Sequence, residues 1–280
     1  MNHAENGREN LVLVNAFYSN SVILRGLIDF LSDRFKVHFI DLPGFAADSP
    51  PLNEISLHAF SEFVLRRIDD LGLDHFIIGG ISFGFLVANN LPLDERCRAV
   101  VAIAPYLDRK SLNFGALKRR SYRVLTEFAS ATGLARRAWK TRTVRRFAHW
   151  YSRYPAERVD MILDHTDAQT FFETGRLILR NHHRCAFHDL PYVLIANPND
   201  TTIRFDYIVR RFRESADRLL VVETEIDHYP DELSKSYFQE RFGRNNLERV
   251  SAFVRDQGTG QEDRRPGVKS LPLYSVARGE

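Results

Sequence analysis

The stretch that decides the fold runs His75-Phe76-Ile77-Ile78-Gly79-Gly80-Ile81-Ser82-Phe83-Gly84-Phe85-Leu86-Val87-Ala88-Asn89-Asn90. An apolar run of strand length enters it, from His75 to Gly79, and a helical segment leaves it, from Phe83 to Asn90. Between them stands Gly80-Ile81-Ser82-Phe83-Gly84, a G-x-S-x-G pattern. The pattern alone is common by chance; a strand before it and a helix after it make it specific. A serine on a sharp strand-to-helix turn projects its Oγ out of the sheet. The positions two before and two after must be small, because their Cα atoms approach neighbouring backbone. The next amide opens a helix, where developing negative charge is stabilised. Ser82 is therefore the candidate nucleophile.

Outward from this turn, strand-like and helix-like segments alternate. Leu11 to Val14 is a short apolar strand that exits through Asn15-Ala16. Val22 to Phe35 has helical spacing, and Lys36 to Asp41 reads as the next strand, closed by Leu42-Pro43-Gly44. Leu57 to Leu71 is an amphipathic helix stopped by Gly72, and Arg98 to Ala104 is a strand ended by Pro105. From about Asp108 to Asp189 only helix-like segments follow. Alternation resumes with a strand at Pro191 to Ala196, a helix at Tyr207 to Ser215, and a strand at Arg218 to Glu223. One long helix, roughly Leu233 to Arg255, closes the sequence of elements. Apolar strands alternating with helices predict an α/β fold, a mostly parallel central sheet with helices on both faces. The expected organisation is a core over 1–107 and 190–256. A helical insertion occupies 108–189, after the fifth or sixth strand. The polar, aperiodic stretch 257–280 is expected to be a flexible tail.

Composition narrows the function classes. With 280 residues, 44% hydrophobic and 27% charged, the chain can bury one large core, which argues against disorder. Cys97 and Cys185 lack metal or redox spacing and read as free thiols in a reducing compartment. The N-terminal MNHAENGREN lacks the apolar core of a secretory signal. The run Phe76 to Ala88 is too short to span a bilayer. The expectation is a cytoplasmic protein without a transmembrane segment. His182, His183 and His188 cluster without carboxylate or thiol partners at ligand spacing, so no metal is expected.

A serine hydroxyl is a weak nucleophile until a base takes its proton. Two later strand ends supply candidates. Past Pro191–Ala196 comes Asn197-Pro198-Asn199-Asp200, where Asp200 either orients a histidine or caps the next helix. Asp108, beyond an earlier strand, is the rival acid. Past Arg218–Glu223 comes Ile226-Asp227-His228-Tyr229-Pro230, with His228 in the loop before the final helix.

These motifs, in this order, resemble the α/β-hydrolase superfamily over roughly residues 10 to 255. The resemblance rests on Leu11 to Phe17, on Asp41-Leu42-Pro43-Gly44-Phe45, on Gly80 to Gly84, on Asn197 to Asp200, and on Asp227-His228. It implies Ser82 as nucleophile, His228 as general base and then acid, and Asp200 as the orienter of His228. The oxyanion hole would use the backbone N–H groups of Phe17 and Phe83. The segment 108–189 is similar to the family's cap, and no cofactor is implied. One departure is plain: Asn15-Ala16 stands where the family has His-Gly. Asn at this position is also similar to the acyltransferases that make the hydroxyacyl-ester precursor of rhamnolipids, a match a few residues long.

The insertion is basic. From Arg109 to Trp150 there are twelve Lys or Arg residues, Arg136 among them, and one acid, Glu127. Such a field attracts an acidic acyl carrier protein, coenzyme A phosphates or anionic lipid headgroups. No nucleic-acid recognition motif accompanies it. Phe114, Tyr122, Phe128, Trp139, Phe147, Trp150 and Tyr151 are candidates to line an acyl pocket. The expected activity is serine-dependent hydrolysis of an ester or thioester through an acyl-enzyme. The alternatives are an acyltransferase to an alcohol and a non-catalytic binding protein on the same fold.

Overall fold

The computed structural model describes residues 8–133, 137–152, 154–181, 185–230, 232–259 and 275–277. Four strands come first, β1 (Glu9–Val14), β2 (Phe35–Ile40), β3 (Phe76–Ile81) and β4 (Cys97–Ile103), with helices α1 (Arg25–Leu31), α2 (Leu57–Leu71) and α3 (Phe83–Ala88) between them. Helices α4 (Ala116–Thr132), α5 (Arg142–Tyr151), α6 (Ala156–His165) and α7 (Ala168–Arg180) then interrupt the alternation. It resumes with β5 (Tyr192–Ala196), α8 (Phe205–Ser215), β6 (Leu219–Glu223), α9 (Lys235–Phe242), α10 (Arg244–Thr259) and the short β7 (Ser275–Ala277). The sheet order is β2-β1-β3-β4-β5-β6-β7, and every pairing is parallel.

Alternate side chains of each strand feed two cores. Val12, Val14, Ile78, Val100 and Leu194 face α2, α3 and α8, while Leu11, Leu13, Ile77, Val101 and Ile195 face α1, α9 and α10. Both faces are therefore apolar, which explains the unbroken apolar runs in the sequence. The insertion has a small core of its own, built on Trp139, Val159, Leu163 and Ala168. The Trp139 indole N–H lies within hydrogen-bond distance of the Leu163 and Thr166 carbonyls, at 3.1 and 2.9 Å.

Three expectations need correction. The insertion follows the fourth strand, not the fifth or sixth, because β2 is the sheet edge and β1 is the first strand of the described chain. The single closing helix is two, α9 and α10. Gly243, at φ 83 and ψ 128, leaves helical geometry between them, and Asn246 caps the break by donating to the Phe242 carbonyl at 2.8 Å. Within the expected tail, α10 continues to Thr259 and Ser275–Ala277 pairs with β6, covering the edge that β6 would otherwise present. The rest of that segment lies outside the described residues. No helix among the described residues is long and apolar enough to cross a membrane.

The sheet reverses its winding at β1, with β2 on one side and β3 on the other. The crevice beyond the carboxyl ends of strands at such a reversal is where open α/β sheets bind ligands. The loops after β1, β3, β5 and β6 carry the candidate residues to that end.

Candidate active site

Ser82 occupies the turn between β3 and α3 with φ 50 and ψ −114, a left-handed backbone that non-glycine residues rarely adopt. Three backbone hydrogen bonds hold it there. Its amide donates to the Ile103 carbonyl at 2.9 Å, and its own carbonyl accepts from Phe85 and Tyr106, each at 3.1 Å. A Cβ at position 80 would press into the Phe85 backbone, and one at 84 into the carbonyls of Val14 and Asn15. The spacing of the two glycines is thus set by two close backbone approaches, one within the turn and one to the exit of β1.

The three candidate side chains meet. Ser82 Oγ lies 3.2 Å from His228 Nε2, and His228 Nδ1 lies 3.3 Å from Asp200 Oδ2. The other Asp200 oxygen accepts the amides of Thr202 and Ile203 at 2.7 and 2.8 Å. Asp200 therefore closes its own loop and faces the histidine; it does not cap the next helix, whose N-cap is Arg204 with no side-chain bond. A carboxylate only accepts, so Nδ1 carries the ring proton and Nε2 presents its lone pair to Ser82. Asp227 accepts the His228 amide at 2.7 Å and fixes the backbone of that loop. The rival, Asp108, is engaged elsewhere: its carboxylate accepts from the Tyr207 hydroxyl at 2.6 Å and the Lys110 amide at 2.7 Å.

The loop after β1 leaves the strand where the Val14 and Asn15 carbonyls approach Gly84 of the turn. Asn15, fully buried, bridges this loop to the next one. Its side chain accepts the Leu42 amide at 2.9 Å and donates to the Ser19 carbonyl. Asn20 donates to the Phe45 carbonyl and accepts the Ile23 amide, both at 3.0 Å. Asp41 accepts the Ser21 amide and hydroxyl at 2.7 and 2.6 Å. Burial raises the Asp41 pKa, and the Ser21 hydrogen bonds oppose that rise. Asn15 thus supplies polar anchoring to a loop whose departure from the family pattern was visible in sequence. Among the described residues, neither the Phe17 nor the Phe83 amide donates to a backbone carbonyl.

An aromatic wall stands over these loops, and the sequence reading missed most of it. Tyr18 stacks on Tyr229 at 6.3 Å between centroids and 11° between planes, and Tyr154 meets Tyr229 edge-on at 5.2 Å. Phe17 stacks on Phe171 at 5.1 Å. The Tyr18 hydroxyl is held protonated far into the alkaline range, by burial first and by the neighbouring Tyr229 and Tyr154. Arg158 of α6 donates to the Pro230 carbonyl and lies 4.9 Å above the Tyr154 ring, tying the insertion to the His228 loop. The signal in sequence was weak, a tyrosine beside each motif, because the partners are far apart along the chain.

Other expected residues fall away from this point. Trp139 packs on Phe171 and Phe172 inside the insertion, while Phe128, Phe147 and Trp150 are exposed rather than lining a pocket. A cleft of about 460 Å³ bordered by Gly44, Pro51, Trp139 and Asp167 includes none of Ser82, Asp200 or His228. Cys97 and Cys185 are free, and burial pushes both thiols up to about 12. His188 Nε2 lies 3.0 Å from the Asn89 carbonyl. His182, His183 and Arg136 lie outside the described residues.

The sequence profile of the alpha/beta hydrolase fold matches residues 9–159. Solved structures share the architecture at low identity. A hydrolase from Pseudomonas aeruginosa PA01 is 19% identical with a TM-score of 0.62, covering 89% of this chain and 91% of its own. A thermophilic esterase from Thermogutta terrifontis is 15% identical with a TM-score of 0.58, covering 90% of each chain. A monoacylglycerol lipase from Paleococcus ferrophilus is 18% identical with a TM-score of 0.54, covering 90% of this chain and 96% of its own.

Proposed function

Because the chain belongs to the α/β-hydrolase family, we propose that it is a serine hydrolase acting on a carboxylic ester or thioester. The observation that carries this reading is the unbroken line Ser82–His228–Asp200, at 3.2 and 3.3 Å, on a turn that strains the serine backbone. Both distances are long for charge-assisted bonds, as is common before substrate tightens a site.

In the first half-reaction His228 Nε2 takes the Ser82 proton as Oγ attacks the carbonyl carbon. Asp200 keeps Nδ1 protonated and stabilises the imidazolium that forms. The oxyanion accepts hydrogen bonds from the Phe83 and Phe17 amides, the first at the start of α3. The tetrahedral intermediate collapses, His228 protonates the departing alcohol or thiol, and the acyl group remains on Ser82. In the second half, His228 deprotonates water as it attacks the acyl-enzyme, then returns that proton to Ser82 Oγ as the C–O bond breaks and the acid leaves. Each step is neutral overall and needs no other reactant.

A second reading replaces water by an alcohol, making the protein an acyltransferase. The aromatic side chains Phe17, Tyr18, Tyr154, Phe171 and Tyr229 favour it, since an apolar wall beside His228 disfavours water and suits an apolar acceptor. A fluorophosphonate probe tests the shared chemistry: native protein is labelled and Ser82→Ala is not. Absence of labelling, or labelling that survives Ser82→Ala, would return the protein to a binding role. Ester and coenzyme A thioester donors, each with and without an added long-chain alcohol, then distinguish acid from ester as product.

A further inference from the structure

Helix α4 is apolar on two faces. Its inner face, with Thr126 and Ala129 buried, packs towards α7, where Thr126 lies against Gly175 and Glu127 pairs with Arg180. Beside this face, Leu117 is 80% exposed, Phe128 58%, Val124 56% and Leu125 50%. At 100° per residue these four fall in one stripe about 100° wide. An ordinary surface helix has one such stripe, turned to the core. Lys118 and Arg120 flank the outer stripe. Helix α5 repeats the composition: Phe147 and the 80% exposed Trp150 lie 6.0 Å apart, beside Arg142 and Arg146.

The charge around these side chains is one-sided. On α4 and α5 the acid is Glu127, and Arg180 and Arg123 bracket it. Arg145 is held by Asp160 and Asp164 of α6. Arg120, Arg142 and Arg146 form no ion pair among the described residues.

We propose that the outer faces of α4 and α5 dock on an anionic lipid surface. The basic residues would sit among the headgroups, and Leu117, Leu125, Phe128 and Trp150 at the boundary of the acyl region. Charge complementarity selects an anionic partner. The form of the apolar residues selects a bilayer over an acidic protein. Leu117 and Trp150, each 80% exposed, protrude from their helices, so a rigid partner would need a matching cavity for each, whereas a fluid interface needs none. Apolar stripes flanked by Lys and Arg, with a Trp near the edge, are the composition of interfacial helices. This inference does not rest on the chemistry assigned to Ser82, so Ser82→Ala protein serves as the reference.

Trp150 makes the test direct, because the chain's other tryptophan, Trp139, is buried. Co-sedimentation with vesicles of phosphatidylcholine alone and of phosphatidylcholine with phosphatidylglycerol is expected to recover protein only with the mixture. Tryptophan emission is expected to shift to the blue on binding, and to lose that shift in Trp150→Phe. Arg120→Gln, Arg142→Gln and Arg146→Gln each lower the partition coefficient by roughly five-fold at low salt. Leu117→Ser with Phe128→Ser abolishes binding, at unchanged far-ultraviolet circular dichroism. The proposal is overturned by equal recovery with both vesicles, by no recovery with either, or by partitioning indifferent to these substitutions. It is equally overturned if the substitutions weaken retention of an acidic carrier protein and leave vesicle binding intact.

Discussion

At the scale of single residues, the acid is the sharpest point. Asp200 and Asp108 were rivals in sequence, and their contacts differ: one faces His228 at 3.3 Å, the other holds the Tyr207 hydroxyl at 2.6 Å. Asp200→Asn removes the acceptor that fixes the imidazole tautomer, and ester turnover is expected to fall by about 10⁴-fold. Asp108→Asn is expected to keep near-native kcat. The reverse pattern in steady-state kinetics would exchange their roles. A second residue stands apart for stability. Thr174 is fully buried, and its hydroxyl has no hydrogen-bond partner among the described residues. Such a group costs about 1–3 kcal/mol, so Thr174→Val is expected to match or exceed the native protein in urea denaturation. A clear loss would mean that a buried water satisfies the hydroxyl.

At the scale of elements, what was legible follows the range of the forces involved. The turn at Ser82 could be read because its strand, glycines and helix are neighbours in sequence and each obeys a local rule. Asp200 and His228 could be read because each follows an apolar strand by a few residues. The break at Gly243 was harder, since one glycine in an amphipathic stretch is compatible with an unbroken helix until its φ of 83 is seen. Nothing local announces that Tyr154 of the insertion meets Tyr229, or that Arg158 reaches the Pro230 carbonyl. Those contacts couple α6 to the His228 loop. Arg158→Ala is expected to loosen that loop and lower kcat/KM by roughly 10- to 100-fold, the range for a nucleophile–base pair displaced by about 1 Å. Fluorophosphonate labelling at long incubation should survive, since Ser82 itself is held by β4 and not by α6.

At the scale of the whole molecule, the sheet and the insertion differ in how they are secured. The sheet was legible as a pattern, and its strands are covered on both faces. The insertion was legible only as helical, because its partners are long-range. Ser82 belongs to the first kind of structure. Its amide is tied to the Ile103 carbonyl at the end of β4, next to β3 in the middle of the sheet. In hydrogen–deuterium exchange this has a clear signature. The Ser82 amide should keep its proton until the entire domain opens, among the slowest amides in the chain. Those of α4, with its exposed outer face, should exchange through local opening many times faster. Ser82, on its strained turn, would then report the global unfolding free energy, so any ligand that stabilises the native state slows exchange at that residue by its full binding increment.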